Sequence, residues 1–164
     1  MKLSERIQKV INSLDKTIEL SKLTAVQIIN ANVKERIFNK GEGKMGEQIG
    51  VYDNMRRQTF LTGKAKLTKK QRIKAEGVED IGMTYKELRK LRGLQTDFVD
   101  LKFSGSLQNS IITNKDSIFF NNNKETKIAG YNEKHFGKKI FAPSANESQI
   151  FIDILDKNIH QLFI

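Results

Sequence analysis

The sequence predicts an α+β fold: a long N-terminal helix and a C-terminal helix packed on a small antiparallel β-sheet, with a long basic excursion between. Three observations carry this. Apolar residues recur every three or four positions over residues 4–38, and again over residues 144–164. Between them, around residues 98–121, the apolar residues fall in short runs, the first with a period of two, the mark of half-buried strands. The chain is 164 residues long, which suits one domain with one core. The expected divisions are a helical part at 4–38, a basic excursion at 39–93, a sheet at 94–143 and a helix at 144–164.

In the first part, Ile7, Val10, Ile11, Leu14 and Ile18, then Val26, Ile29, Val33 and Ile37, form the stripe, and Ser4 is the expected N-cap. The stripe weakens between Ser21 and Ala25, so one long helix and two stacked ones are both allowed. A stripe of this length calls for a sheet or another subunit to cover it. Gly41, Gly43 and Gly46 then end the helix. Their spacing matches the dinucleotide-binding letter pattern, but no strand precedes it and no βαβ unit surrounds it, so a flexible surface turn is the reading preferred. Ile49, Val51 and Tyr52 follow as a short apolar segment.

Between Lys40 and Arg92 stand fourteen Lys and Arg against seven Asp and Glu. The basic residues are densest at Arg56, Arg57, Lys64, Lys66, Lys69, Lys70, Arg72 and Lys74, a surface for an acidic partner or for DNA. Few apolar residues interrupt them, so order that comes only with assembly is expected. Thr84 with Glu87 is a capping-box signature ahead of a short helix bearing Leu88 and Leu91, closed by Gly93.

Val99, Leu101 and Phe103 alternate with Phe98, Asp100 and Lys102, which predicts a strand. Ser104-Gly105 breaks it, and Ser106 is placed to cap one tight helical turn. Asn109–Asn114 and Ser117–Asn121 then read as a hairpin joined by Lys115-Asp116. Residues 121–127 read as a polar loop, and 129–136 fit a helical turn as well as a loop. Ser144 with Glu147 is a second capping box. Behind it Ile150, Phe151, Ile154, Leu155, Ile159 and Leu162 share one helix face.

Composition limits function. Lys and Arg number 29 against 19 Asp and Glu, a formal charge of +10, which favours an acidic partner. There is no Cys, hence no disulfide, thiolate metal site or cysteine nucleophile. No apolar run approaches the roughly 18 residues that span a bilayer, and the N-terminus lacks the apolar core of a signal peptide. The only histidines are His135 and His160. His160 falls late in the last helix, as a cation at its C-terminal end. His135 with Glu133 falls short of the three protein ligands of a catalytic zinc. Asp97, Asp100 and Lys102 mimic a nuclease spacing, but carboxylates three apart on a strand face opposite ways. Ser104 and Ser106 lack a nucleophile-elbow frame. No acid, base and nucleophile converge, so no enzyme and no cofactor are expected.

Three separated segments resemble the phage tail-completion and head–tail joining proteins of the virion-morphogenesis type. The first runs from Glu35-Arg36-Ile37-Phe38-Asn39-Lys40-Gly41 to Ile49-Gly50-Val51-Tyr52, similar to a long helix entering an Arg-Ile, Lys-Gly and Ile-Gly-x-Tyr pattern. The second, Val99 to Ile111, is similar to a strand and a Thr-Gly-Arg-Leu-x-x-Ser-Ile corner; Gly105, Leu107 and Ser110 match, while Ser104 and Ser106 replace the Thr and Arg. The third, with Tyr131, His135, Gly137 and Pro143, resembles a Tyr, His, Phe-Gly, Pro-Arg-Pro-Phe run, but Phe141-Ala142-Pro143-Ser144 lacks its Arg. The resemblance implies a structural part of the neck or upper tail, assembled in the host cytoplasm. It would form a homo-oligomeric ring with portal, neck or tail proteins as partners. The basic stretch would embrace an acidic neighbour or touch passing DNA non-specifically. The neighbour is preferred, because a wall that held DNA tightly would hinder its ejection. The competing reading is a basic nucleic-acid-binding module, which would need aromatics among the basic residues; Phe60 and Tyr85 are the candidates.

Overall fold

The computed structural model describes residues 3–57, 68, 82–102 and 104–163. Its elements are α1 (Leu3–Lys34), a π-helical turn (Glu35–Lys40), α2 (Tyr85–Leu91), α3 (Ser106–Ser110), β1 (Ile111–Thr113), β2 (Ile118–Phe120), α4 (Asn123–Phe136) and α5 (Ala145–His160). The fold is α+β, with a long first helix, a C-terminal helix and a two-stranded antiparallel sheet.

α1 runs unbroken through the Ser21–Ala25 stretch where the stripe weakens. Ser21 and Ala25 are both fully buried. They are small because α5 lies against them: Asn158 Nδ2 donates to Ser21 Oγ at 2.9 Å. Lower down, Arg36 pairs with Glu147. Position 21 thus meets 158 and position 36 meets 147, so the two helices are antiparallel. The helix already includes Leu3, which places Ser4 inside its first turn and not at the N-cap.

The π-helical turn ends at Gly41, whose φ of 69° lies in the left-handed region. A Cβ there would stand 2.3 Å from the Phe98 ring and 2.8 Å from the Val99 carbonyl. The stretch after it is packed at Gly41 and Gly43 but turns at the surface over residues 44–46, where Met45 is 85 % exposed. Gly41 and Gly43 are buried, and Glu42 bridges Gln48.

The core joins Ala25, Ile29, Val33, Ile37 and Phe38 from the first helix and its π turn with Ile49, Val99, Leu107, Ile111, Ala129 and Ile140. Ile150, Phe151 and Ile154 of α5 pack on it. Both ends of the predicted basic excursion belong to this body, since Ile49, Met83, Leu88 and Arg89 are buried.

The strand expected over 98–103 does not form among the described residues. Residues 98–102 have no repeating structure, and Leu101 has a φ of 51°. The period-two pattern has another cause. Val99 and Asp100 are both buried, the first in the core and the second against Arg89. Asp100 is therefore a buried anion, not the solvent face of a strand. At the corner, Gly105 with φ 80° is the N-cap of α3, and Ser106 is its first residue. No side chain caps α3 from its N-cap; the Ser104 hydroxyl, one residue earlier, accepts from the Ser106 N–H at 3.3 Å.

The hairpin forms as read, with shorter strands. Ile111 faces Phe120, Ile112 faces Phe119 and Thr113 faces Ile118. Asn114 Oδ1 ties the turn by accepting from the backbone N–H groups of Asp116 and Ser117. The segment after it is helix α4, where the sequence reads as loop and helical turn. Asn122 caps it, its side chain accepting from the Glu125 N–H at 3.0 Å, and Gly137 with φ 63° closes it. Among the described residues the 94–143 interval thus holds one small hairpin set among helices. α2 and α5 start at the capping boxes expected, Thr84 with Glu87 and Ser144 with Glu147.

Candidate functional site

The site grows from two buried arginines. Arg36 lies buried in the π-helical turn that continues α1, three residues beyond Val33 on the same apolar stripe, and reaches three separate chain segments. Its Nε donates to Glu147 Oε1 at 3.0 Å and its Nη2 to Glu147 Oε2 at 3.3 Å. Nη1 donates to the Glu42 carbonyl at 3.1 Å and to the Ile140 carbonyl at 3.2 Å. Nη2 also reaches the Ala142 carbonyl at 3.0 Å. Five bonds match the five N–H donors of a guanidinium. Glu147 is doubly engaged, since its Oε2 also accepts from the Ser144 N–H in the capping box.

Arg89 of α2 is the second. It is almost fully buried, as is Asp100, and the two meet at 2.9 Å. Its other donors reach the carbonyls of Gln95 at 2.9 Å and Lys102 at 2.8 Å. The guanidinium carbon lies 5.0 Å from the Tyr52 ring centre and 5.9 Å from that of Tyr85. The two tyrosines meet edge to face at 5.5 Å. The Tyr52 hydroxyl donates to Asp100 Oδ1 at 3.3 Å.

Burial pushes the Tyr52 phenol well above the usual tyrosine range, helped by the Asp100 charge, and burial raises Tyr85 as well. A group whose pKa is raised by folding stabilises the fold below its unfolded value and loses that contribution as pH climbs past it. Stability is therefore expected to fall above about pH 10, where unfolded tyrosine ionises. An alkaline titration followed at 295 nm, with circular dichroism reporting the fold alongside, should show two phenols that ionise above the ordinary tyrosine range. Complete ionisation of a still-folded protein near pH 10 would contradict this.

Above the second arginine opens a groove of about 530 Å³. Arg89, Val99 and Leu107 form its buried floor. Tyr52, Tyr85, Tyr131, His135 and Phe136 line it with aromatic rings, and Val51 and Met55 stand exposed at its rim. His135 stacks on Tyr131 at 5.8 Å and meets Phe136 edge-on at 4.8 Å.

Four of the seven motif residues line this groove: Gly105, Leu107, Tyr131 and His135. Leu107 is buried, while Tyr131 and His135 are exposed. The other three lie elsewhere. Ser110 is buried, its hydroxyl donating to the Leu107 carbonyl at 2.7 Å. Gly137 closes α4, and Pro143 is half-buried ahead of α5.

The basic surface is met only at its edge. Arg56 pairs with Glu87 at 3.1 Å and donates to the Gly82 carbonyl at 3.0 Å, and Arg57 pairs with Asp53 at 3.1 Å. Both charges thus have acidic neighbours in the same chain. Lys64, Lys66, Lys69, Lys70, Arg72 and Lys74 lie outside the described residues, as does Phe60.

The nuclease-like spacing does not assemble. Asp100 is buried on Arg89, while Asp97 is exposed. Glu133 accepts from the backbone N–H groups of Ile140 and Phe141, so it holds a loop beside His135 and is not free to be a ligand. Among the described residues no three His, Asp or Glu side chains gather where they would hold a metal ion, and no helix is long and apolar enough to cross a membrane.

Sequence reading missed Arg36 and Arg89 as centres. A signal for Arg36 was present: it lies three residues past Val33 and seven past Ile29, on the apolar stripe itself. A charge on such a face is kept there by a buried partner.

Compared with protein-family models, with curated proteins and with solved structures, the chain has no significant match.

Proposed function

We propose that the protein is a structural component of a tailed-phage virion, part of the neck or tail-completion ring that joins capsid portal to tail. One observation supports this reading above others: the three segments that carry the resemblance interlock. Arg36 of the first holds the Ile140 and Ala142 carbonyls of the third. Tyr52 of the first holds Asp100 of the second. Gly50 of the first lies so close to Phe136 of the third that a Cβ would come within 2.7 Å of the ring. Residues far apart in sequence, picked out for a shared pattern, thus serve a single packing arrangement.

The nucleic-acid reading rests on the net charge of +10. The pairing of Arg56 and Arg57 with carboxylates weakens it at the two described positions. Light scattering on the purified protein, at low and moderate salt, with and without DNA, separates the two. A closed oligomer that ignores DNA is expected, or a monomer that ignores DNA and joins a portal or tail protein. A monomer whose DNA affinity falls steeply with salt would overturn the proposal.

A further inference from the structure

We infer that the N-terminal end of α1 is a docking surface for a second copy of this chain, whose α5 it receives on that helix's outward, acidic face. α1 is exposed at every position from Leu3 to Ser13 and first becomes half-buried at Leu14, while Leu162 and Phe163, just past the end of α5, border the groove at its Arg6–Leu14 stretch. Ahead of Leu14, α1 carries its apolar stripe into the open. Leu3 is 74 % exposed, Ile7 53 % and Val10 49 %. Charged residues also line this end: a groove of about 320 Å³ is formed by Val10, Leu14, Leu162 and Phe163 with Arg6 and Lys9 at its edge. An apolar cleft edged by two cations fits an apolar residue flanked by carboxylates.

The chain presents such a surface itself. α5 turns Ile150, Phe151 and Ile154 towards the core, which leaves Ile152 on the far side, 55 % exposed. Asp156, four positions on, stands exposed on the same face, and Asp153, three before Asp156, stands exposed on its flank, where its Oδ1 accepts from Gln149 Nε2 at 3.0 Å. The groove and this face share no residue, so the contact runs head to tail. Pairing two groove ends with each other is the alternative, and charge disfavours it, because Arg6 and Lys9 of one copy would meet Arg6 and Lys9 of the other. A head-to-tail contact closes into a ring when its rotation allows. The inference deepens the ring reading and rests on it for that closure.

The test uses two charge-reversed full-length chains, R6E/K9E and D153K/D156K, each checked for unchanged helicity by circular dichroism and then studied by sedimentation velocity. The wild-type chain is expected to self-associate. Each variant alone should associate at least about tenfold more weakly, because like charges are brought together. An equimolar mixture should regain wild-type association, since the acidic groove of one then meets the basic helix face of the other. Wild-type-like association of both variants would overturn this contact and leave the ring reading standing. A mixture that stays dissociated would also overturn it. A wild-type chain that is monomeric and binds DNA would overturn both.

Discussion

Arg36→Met is expected to lower the unfolding free energy by roughly 3–5 kcal/mol, the usual cost of removing one partner from a buried ion pair. In a chain of this size that corresponds to a melting point lower by about 10 °C. The size follows from what is left behind. Glu147 would remain buried and charged, and the carbonyls of Glu42, Ile140 and Ala142 would lose their donor. Arg36→Lys should recover little. An ammonium is a point charge with three donors, and it cannot span a bidentate carboxylate and three carbonyls at once. Glu147→Gln is expected to be milder, because the amide oxygen still accepts from one side. It serves as the graded variant should Arg36→Met fail to fold. Denaturant unfolding gives the readout, with an unchanged slope showing that the midpoint reports stability. An Arg36→Lys chain within about 1 kcal/mol of wild type would mean that the network acts as a loose charge cluster and not as a fitted socket.

Most of the helical framework was legible because its signals are local. The capping boxes at Thr84–Glu87 and Ser144–Glu147 involve residues three apart, and both form. The stripe of α1 predicts the burial of Ile29, Val33 and Ile37, since periodicity reports which side faces a core. What was misread depended on distant partners. Asp100 in the 98–103 run looked like an outward strand residue, and only Arg89, eleven positions earlier, makes it a buried one. The first part of α4 reads as a polar loop and the rest fits a helical turn as well as a loop, because its apolar content is low; the cap at Asn122 and Glu125 is the cue that joins them into one helix. The candidate site was legible as motif letters and not as geometry. Gly50 and Phe136 each stood in a quoted segment, but nothing local says that one is a seat for the other. The same applies to the open end of α1. The sequence called for a cover over the whole stripe, and α5 supplies it only over the second part.

Asp100→Ala should also cost about 3–5 kcal/mol, for the opposite reason: it strands a cation. Arg89 would keep the Gln95 and Lys102 carbonyls and the two tyrosine faces, but no counter-charge, at a position only 1 % exposed. Asp100→Asn keeps the shape and loses the charge, so it isolates electrostatics from packing. Its amide retains an oxygen for the Lys102 N–H, now held by Asp100 Oδ1 at 2.9 Å, and turns its NH₂ towards the guanidinium, donor against donor. The loss should therefore approach that of Asp100→Ala. The double variant R89M/D100L should be more stable than either single charge-removing variant, because burying two apolar groups in place of an ion pair avoids the desolvation of both charges. A second readout separates this cluster from general destabilisation. Burial is the first cause of the raised Tyr52 phenol and the Asp100 charge the second. In Asp100→Asn the Tyr52 titration should move back towards the ordinary range without reaching it. No movement of that titration would show that Asp100 acts on Arg89 alone. A single-variant loss under about 1 kcal/mol would show that water enters the groove and takes over the carboxylate's place. The groove floor would then be wet, and the interlock of Tyr52 with Asp100 would no longer hold the first motif segment to the second.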